Sequence, residues 1–427
     1  MNRIKPAEPA FFKQICWVFI LICLIQFPSL HAQEIPVSPA IEDTIPKKEL
    51  GAAAKALDSE TDLVIEWHKW FGKKISKAKD TGRVQHSILP AAGYSQQTGF
   101  AGIIAASYVF YPKKIDQETQ KPSNLLTSIT YSQYNQVIFP IQADIWFRKN
   151  AYYAVIDWRF LAYPSTTFGL GGKTKLSDGY TINFNYIKLH QSLLKKISKT
   201  LYSGIGIFYD HFWNITEELV SPNIVTSFDK YGLTKKSTSA GFALRLLSDT
   251  RNNAINASKG AYINIIGRPN FTLLGSDANW NSMLVEVRKY FHFPASSKNV
   301  LALWSYNWFT LGKGKPPYFL LPSTGWDDFY NTGRGYIQGR YRGKDMIYLE
   351  SEYRFDITRN GLIGLVVFAN AQSFSSKITK QLRLITPGFG TGLRIKLNKI
   401  TGANLCIDYG FGLDGSRGIS VNLGEVF

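Results

Sequence analysis

Three arginines stand close together in the run Gly333-Arg334-Gly335-Tyr336-Ile337-Gln338-Gly339-Arg340-Tyr341-Arg342. An arginine presents five donors in a planar fork, a shape suited to gripping a carboxylate. Gly335 lets the backbone turn tightly against a wall. Tyr336 adds a flat packing surface with a polar tip. These residues do the chemistry of a tether: a loop carrying them would fold onto a surface that offers acidic partners. The other reading of Arg334 is a solvated loop residue. Bond-breaking chemistry has no comparable signal. Gly169-Leu170-Gly171-Gly172-Lys173-Thr174 imitates a phosphate loop, but Thr167 occupies the place of the required first glycine and no strand-to-helix context follows. Histidines 31, 68, 86, 190, 211 and 292 are scattered without ligand spacing. No Gly-x-Ser-x-Gly elbow occurs. The chain reads as a non-enzyme with no cofactor and no metal.

The elements that must position this loop are legible in the composition. The chain has 427 residues, 45% hydrophobic, 14% aromatic and only 19% charged, with 35 glycines. The length alone would suit two or three soluble domains. Without a long unbroken apolar run, a polytopic helical membrane protein is excluded. The low charge excludes global disorder. From about residue 83 the apolar residues recur every second position. Phe139, Ile141, Ala143, Ile145 and Phe147 share one face, while Gln142, Asp144, Trp146 and Arg148 share the other. Ile347, Leu349, Tyr353 and Phe355 oppose Glu350, Glu352, Arg354 and Asp356 in the same way. A soluble sandwich also alternates. Two features favour a membrane: segments of about 10–14 residues, longer than usual strands, and aromatics clustered at segment ends, as at Tyr108, Phe110 and Tyr111.

Sixteen such segments are predicted, at 83–93, 99–111, 124–136, 137–149, 151–164, 180–194, 200–213, 238–250, 261–269, 280–293, 299–311, 346–357, 361–374, 386–398, 403–413 and 418–427. The even number fits a closed antiparallel barrel. The predicted fold is all-β: a 16-stranded antiparallel transmembrane β-barrel with a short N-terminal amphipathic helix. Short turns such as Lys149-Asn150 would be periplasmic, and long connections such as 214–237 and 312–345 extracellular. The lumen would be polar and cross-linked by charges of both signs. Ile419, Val421 and Leu423 share one face of the last segment, which runs to a terminal Phe427, with Glu425 at an outward position. Pro90 removes a ladder donor from the first segment. It marks either a weakly paired seam with the last strand or a proline lying above the ladder.

Residues 1–32 read as a secretory signal peptide: Arg3, Lys5 and Lys13, then an apolar stretch from Ile15 to Phe27, then Ala32. Residues 33–82 form a linker marked by Pro36, Pro39 and Pro46, then one helix. Ser59 and Asp62 resemble a capping box. Val64, Trp67, Phe71, Ile75 and Ala78 follow at helical spacing among lysines. This helix would lie in the membrane interface, tuck into the barrel mouth, or cover the periplasmic rim. Residues 83–427 form the barrel. The formal net charge of +18 points to lipid phosphates at the rims, not to nucleic acid.

The arginine run, in the longest loop, resembles a motif of the BamA/TamA outer-membrane superfamily, whose barrel is the bacterial surface antigen domain. That family carries Arg-Gly-Tyr/Phe on its sixth extracellular loop, often followed by Gly-Arg-Tyr-Arg. Asp249-Thr250-Arg251-Asn252-Asn253 with Gly260-Ala261-Tyr262 resembles the family's hairpin between strands eight and nine. Leu89-Pro90-Ala91-Ala92-Gly93-Tyr94-Ser95 resembles its first strand, and Pro387-Gly388-Phe389-Gly390-Thr391-Gly392-Leu393-Arg394 its late Gly-rich strand. The final Phe427 matches its terminal aromatic in part. The resemblance spans about residues 85–427. It implies that Arg334 meets acidic groups on nearby strands, one of them in a Phe-x-Asp pattern. Here that stretch is Phe368-Ala369-Asn370, so the carboxylate is replaced by an amide able to accept one hydrogen bond. Arg334 is therefore expected to pair with Glu350 or Glu352, with Asp408 as a third candidate.

The resemblance also implies a role in protein insertion or translocation at the Gram-negative outer membrane, through a lateral seam and a loop lid, without periplasmic POTRA repeats. Expected partners are outer-membrane lipids and lipopolysaccharide, protein clients, and the barrel assembly machinery that inserts the chain itself. The competing readings are a passive or gated pore and a structural accessory barrel.

Overall fold

Strict two-residue alternation lets a strand present one chemistry to each side of a sheet, and this chain applies that rule almost throughout. The computed structural model describes residues 60–63, 65–66, 84–111, 120–218, 225–232, 234–375, 382–399 and 401–427. The expected signal peptide, the linker and most of the expected helix lie outside them. One antiparallel sheet of 17 strands is formed. Its order is β1 (Val84–Ser95), β2 (Gly99–Phe110), β3 (Ser123–Ser132), β4 (Val137–Phe147), β5 (Tyr152–Ala162), β6 (Ser165–Thr167), β7 (Tyr180–Lys196), β8 (Leu201–Glu218) and β9 (Ser237–Asp249). Then come β10 (Gly260–Asn270), β11 (Trp280–His292), β12 (Val300–Leu311), β13 (Asp345–Asp356), β14 (Ile363–Ser375), β15 (Leu382–Asn398), β16 (Ala403–Phe411) and β17 (Arg417–Leu423). The three-residue β6 prolongs β5 along the same neighbour, β7. The other strands answer to the sixteen predicted segments. A short helix, α1 (Ser227–Gly232), lies in the β8–β9 connection.

The burial pattern is the reverse of a soluble protein's. Outer-face residues such as Ile88, at 69% exposure, and Ile205, at 66%, are apolar and open. Inner-face residues such as Lys188, Asp210, Glu286, Glu352 and Arg394 are charged and buried. An outer apolar surface over a polar interior is the arrangement a strand-built membrane protein needs. No helix among the described residues is long and apolar enough to cross a membrane.

Consecutive strands pair in register around the sheet, and β1 lies against β17. Among the described residues no backbone ladder joins those two strands; the Gln96 side chain donates to the Arg417 carbonyl instead. Pro90 stands exposed in the middle of β1, opposite Ile104 of β2. The expected last segment is corrected at its end. β17 stops at Leu423, and Gly424, at φ 86°, turns the chain inward. Glu425 and Phe427 therefore face the interior, not the outer face. Glu425 meets Arg394 at 2.8 Å and Asn404 at 2.7 Å. The Phe427 ring stacks on Trp304 with centroids 5.1 Å apart.

Residues 60–63 and 65–66 are stapled onto the short-turn end of the sheet. The Thr61 amide donates to the Asn360 carbonyl at 3.0 Å, and the Lys399 amide to the Asp62 carboxylate at 3.0 Å. Asp62 also receives the Ile65 amide at 2.8 Å, the contact of an N-cap. A helical turn starts here, over the rim. Glu60 pairs with Lys396 at 2.8 Å and Lys298 at 3.3 Å. Partial burial pushes its carboxyl up, but Lys396 and then Lys298 outweigh that and hold it below the usual carboxylate range. A depressed carboxyl stabilises the folded staple above its unfolded value and loses that contribution as pH falls through the folded one. Solvent screening keeps the contribution to no more than about 1 kcal/mol. Hydrogen exchange at Thr61 and Ile65, corrected for intrinsic rate, should therefore accelerate several-fold below pH 4. Glu60→Gln should show the faster exchange at neutral pH; unchanged protection in that variant would remove the ion pairs from the account.

Candidate functional site

The connection between β12 and β13 enters the interior and is held at two ends by different forces. Its first leg is apolar. The 3-10 turn Tyr318–Leu320 is fully buried among Phe184, Phe212 and Phe228. Phe319 packs on Phe184 at 4.2 Å between ring centroids. The two legs then brace one another: Thr324 donates to the Tyr341 carbonyl at 3.0 Å and Gly339 to the Thr324 carbonyl at 2.9 Å. The Asp327 carboxylate accepts the amides of Asn331 and Thr332 at 3.0 and 2.7 Å, closing the tip.

The second leg is ionic. Arg334 is buried against the wall. Its Nε donates to Glu350 at 2.9 Å, its Nη1 to Asp408 at 3.1 Å, and its Nη2 to both Glu350 and Glu352. All three candidate carboxylates are engaged at once. Glu350 and Glu352 lie two apart on β13 and so share its inner face; Asp408 reaches in from β16. The guanidinium also lies over the Phe368 ring, 3.7 Å from its centroid, a contact that strengthens away from water.

A second layer was not foreseen. Arg354 pairs with Glu352 at 2.6 Å; Arg394 pairs with Asp408 at 2.6 Å and Glu425 at 2.8 Å. The sequence signal for this layer was present in the alternation, which puts Arg354 and Arg394 on inner faces. The inward Glu425 had no such signal, because it depends on the turn at Gly424.

Close approach makes the ionic contacts possible. Gly335 has φ 98°, and a Cβ there would meet the Phe411 backbone at 2.7 Å. Across from it, a Cβ on Gly410 would lie 2.6 Å from the Gly335 nitrogen. Glycine on both sides lets loop and wall touch backbone to backbone. Tyr336 fixes the same corner. Its hydroxyl donates to the Pro387 carbonyl and accepts the Leu413 amide, the latter at 2.9 Å.

Arg340 binds Thr174 through its hydroxyl at 2.9 Å and its carbonyl at 2.7 Å, and pairs with Asp414 at 3.1 Å. Arg342 donates to the Tyr318 carbonyl at 3.0 Å and lies over that residue's ring. It therefore ties the ionic leg to the apolar one. Residues 169–174, which imitate a phosphate loop, are part of this seat: the Gly171 amide donates to the Arg342 carbonyl at 2.6 Å.

Asn370 departs from expectation. It does not accept from the guanidinium. Its Nδ2 donates to the Arg334 carbonyl at 3.0 Å, so it holds the loop's backbone. Asp249, Arg251 and Gly260 lie apart from this network. Arg251 grips Asp249 through two bonds of 2.9 and 2.8 Å. Gly260, at φ 99°, sits where a Cβ would strike the Thr250 carbonyl. Pro90 is also remote, on β1. Phe427 is brought to the network's edge, where its carbonyl accepts from Arg354 at 2.9 Å.

Beneath the lid lies a cavity of 740 Å³. Leu320, Trp326 and Asp328 of the lid line it on one side, and Lys121, Asn252 and Thr401 line it toward the short-turn end.

Comparison with known proteins gives fold likeness only. No family model matches the chain, and no curated protein matches it. Among solved structures it is similar to BamA from Haemophilus ducreyi lacking POTRA domains 1-3, with TM-score 0.54 and 13% identity, covering 80% of this chain and 70% of that one. It is also similar to CdiB from Escherichia coli (TM-score 0.52, 11% identity, 81% of this chain, 63% of that one) and to CdiB from Acinetobacter baumannii (0.50, 13%, 81% and 60%). The chain thus spans under two thirds of either CdiB.

Removing one partner from a buried charge network strands the others, at about 3–5 kcal/mol. Arg334→Ala should therefore lower the unfolding temperature of the purified protein, read as the loss of its fast-migrating folded form on heating before electrophoresis. Adding Glu350→Gln to that variant should recover part of the loss. A wild-type transition in Arg334→Ala would dismiss the network as the lid's anchor. Asn370→Asp should weaken the lid despite adding a carboxylate, because it replaces the donor to the Arg334 carbonyl with an acceptor; the expected cost is about 1–3 kcal/mol, measured in the same assay.

Proposed function

We propose that this chain, which has the fold of BamA- and CdiB-type outer-membrane barrels, assists protein insertion or translocation at the outer membrane through a lateral seam between β1 and β17. The observation that carries the reading is the mismatch at that junction. β1 has 12 residues and β17 only 7, and no ladder joins them among the described residues. An edge with unpaired donors and acceptors is costly in lipid, so it is normally covered unless its opening is used. The loop lid supports the same reading: its apolar and ionic anchors occupy the lumen, which disfavours a steadily open pore. Outer-membrane lipids and lipopolysaccharide would contact the outer face, and protein clients the seam. The barrel assembly machinery would insert the chain itself.

The test is depletion of the protein followed by quantitative proteomics of the outer membrane. Selective loss of particular outer-membrane proteins is expected. Complementation with Gln96→Cys/Gly418→Cys, made in a Cys406→Ser background, should fail when the pair is oxidised and succeed after reduction. A Cβ at Gly418 would lie 2.3 Å from the Gln96 side chain, so the pair is within reach. An unchanged proteome on depletion, or full rescue by the oxidised form, would defeat the proposal.

A further inference from the structure

We propose that the rim formed by the β4–β5 and β7–β8 turns is a docking surface for the phosphates of anionic phospholipids in the leaflet at the short-turn end. This rests on the outer face meeting lipid and not on the seam. Arg148, Lys195, Lys196 and Lys199 are all exposed. None of them forms an ion pair among the described residues. From 145 to 156 and from 191 to 209 the chain has no Asp or Glu. The carboxylates further along these strands and on β9, Asp144, Asp157 and Asp249, line the interior cavity instead. Each has its own partner there: Tyr153, Lys188 and Arg251.

Two of the cations are neighbours of one ring. Arg148 lies 5.5 Å over Tyr152, and Lys195 stands directly opposite Tyr152 in the β5–β7 ladder. Directly opposed residues point to the same face. For Tyr152 and Lys195 that face is the outer one, because Tyr153 and Leu194 beside them pack inside. Phe147 stacks on Tyr152 at 5.6 Å, and Ser203 stands opposite Lys195 on β8. Phe147, Tyr152, Lys195 and Ser203 thus make a row of rings, charge and hydroxyl across four strands. Two residues further along each strand, toward the middle of the sheet, the row Ile145, Ala154, Leu193 and Ile205 is wholly apolar. A phosphate held at the first row lays its acyl chains along the second. Guanidinium and ammonium groups supply the donors its oxygens need, and an anionic headgroup brings no cation of its own to compete.

Two further observations set this arc apart. Arg148 and Lys149 have φ 53° and 54°, left-handed places that a hairpin turn gives to Gly, Asn or Asp. Strain of this kind persists where the side chains have a use. The other arc of the same rim is treated differently. There Lys396, on the inner face of β15 with Arg394, is covered by Glu60 from the chain's own acidic segment. Lys195 points outward, and its neighbours along the strand direction are the lipid-facing residues.

The experiment is native mass spectrometry of the full chain in maltoside micelles with added dioleoyl phosphatidylglycerol or dioleoyl phosphatidylcholine. Saturable retention of phosphatidylglycerol in preference to phosphatidylcholine is expected. Arg148→Gln/Lys195→Gln should weaken it about fivefold for each cation removed. Lys235→Gln/Lys236→Gln, which removes the same charge at the long-loop end, should retain the lipid like wild type. If the first pair does not fold, Lys195→Gln/Lys199→Gln decides the matter. The proposal is overturned if both lipids are retained equally, or if the two ends lose retention equally. It is also overturned if glycerol 3-phosphate displaces the lipid at equal concentration, which would mark a free-phosphate site, or if a poly-glutamate peptide binds in preference, which would mark a protein partner.

Discussion

A charge taken out of water must be neutralised where it comes to rest. The interior of this protein is arranged around that demand. Arg334 brings one cation to a place where Glu350, Glu352 and Asp408 already converge, and Arg354 and Arg394 supply the positive charge those carboxylates still require. Remove the loop and the wall is left with an acidic surplus; remove the wall and the loop has a bare guanidinium. Neither half is stable in its position without the other. The Phe368 ring beneath the guanidinium adds a cation–π contact to the ionic ones.

Two kinds of contact divide the work along the lid. The aromatic leg around Phe319 is non-directional and tolerates small shifts. The ionic leg has a set distance and a set angle, and it needs the bare backbones of Gly335 and Gly410 to reach the wall. Arg342, lying over Tyr318 while its own carbonyl receives the Gly171 amide, joins the legs. The lid therefore cannot slide at one end without disturbing the other.

Much of this is legible in the amino-acid sequence. Two-residue alternation marks strands reliably when one face meets an apolar medium and the other a polar one, and it located every long strand. It also places Glu350, Glu352, Arg354 and Arg394 on inner faces. It does not say which inward carboxylate lies across the interior from the loop, because that depends on curvature and register; hence three candidates for Arg334, all of which prove to be partners. The sequence offers Asn370 as an acceptor, but an amide can equally donate, which is how it meets the Arg334 carbonyl. The inward turn after Leu423 depends on one backbone angle at Gly424, and glycine is too frequent here to announce it. The three-residue β6 is too short to show in the alternation: after an interruption the chain resumes pairing with the same neighbour.

The cross-links are unevenly distributed around the sheet: among the described residues the inner-face ion pairs run from β5 to β16, and none falls on β1 or β2. The rim staple on the turns after β13 and β15, the Arg334 network and the inward Glu425 and Phe427 all fall on β12–β17. On the inner faces of β1 and β2 stand small or uncharged residues such as Ala91, Gly93, Ala101, Ile103 and Ala105. Mechanically this makes a shell with a stiff arc and a compliant arc that meet at a single junction. Under thermal or lateral stress the deformation would concentrate in the compliant arc, and the stiff arc would serve as its frame.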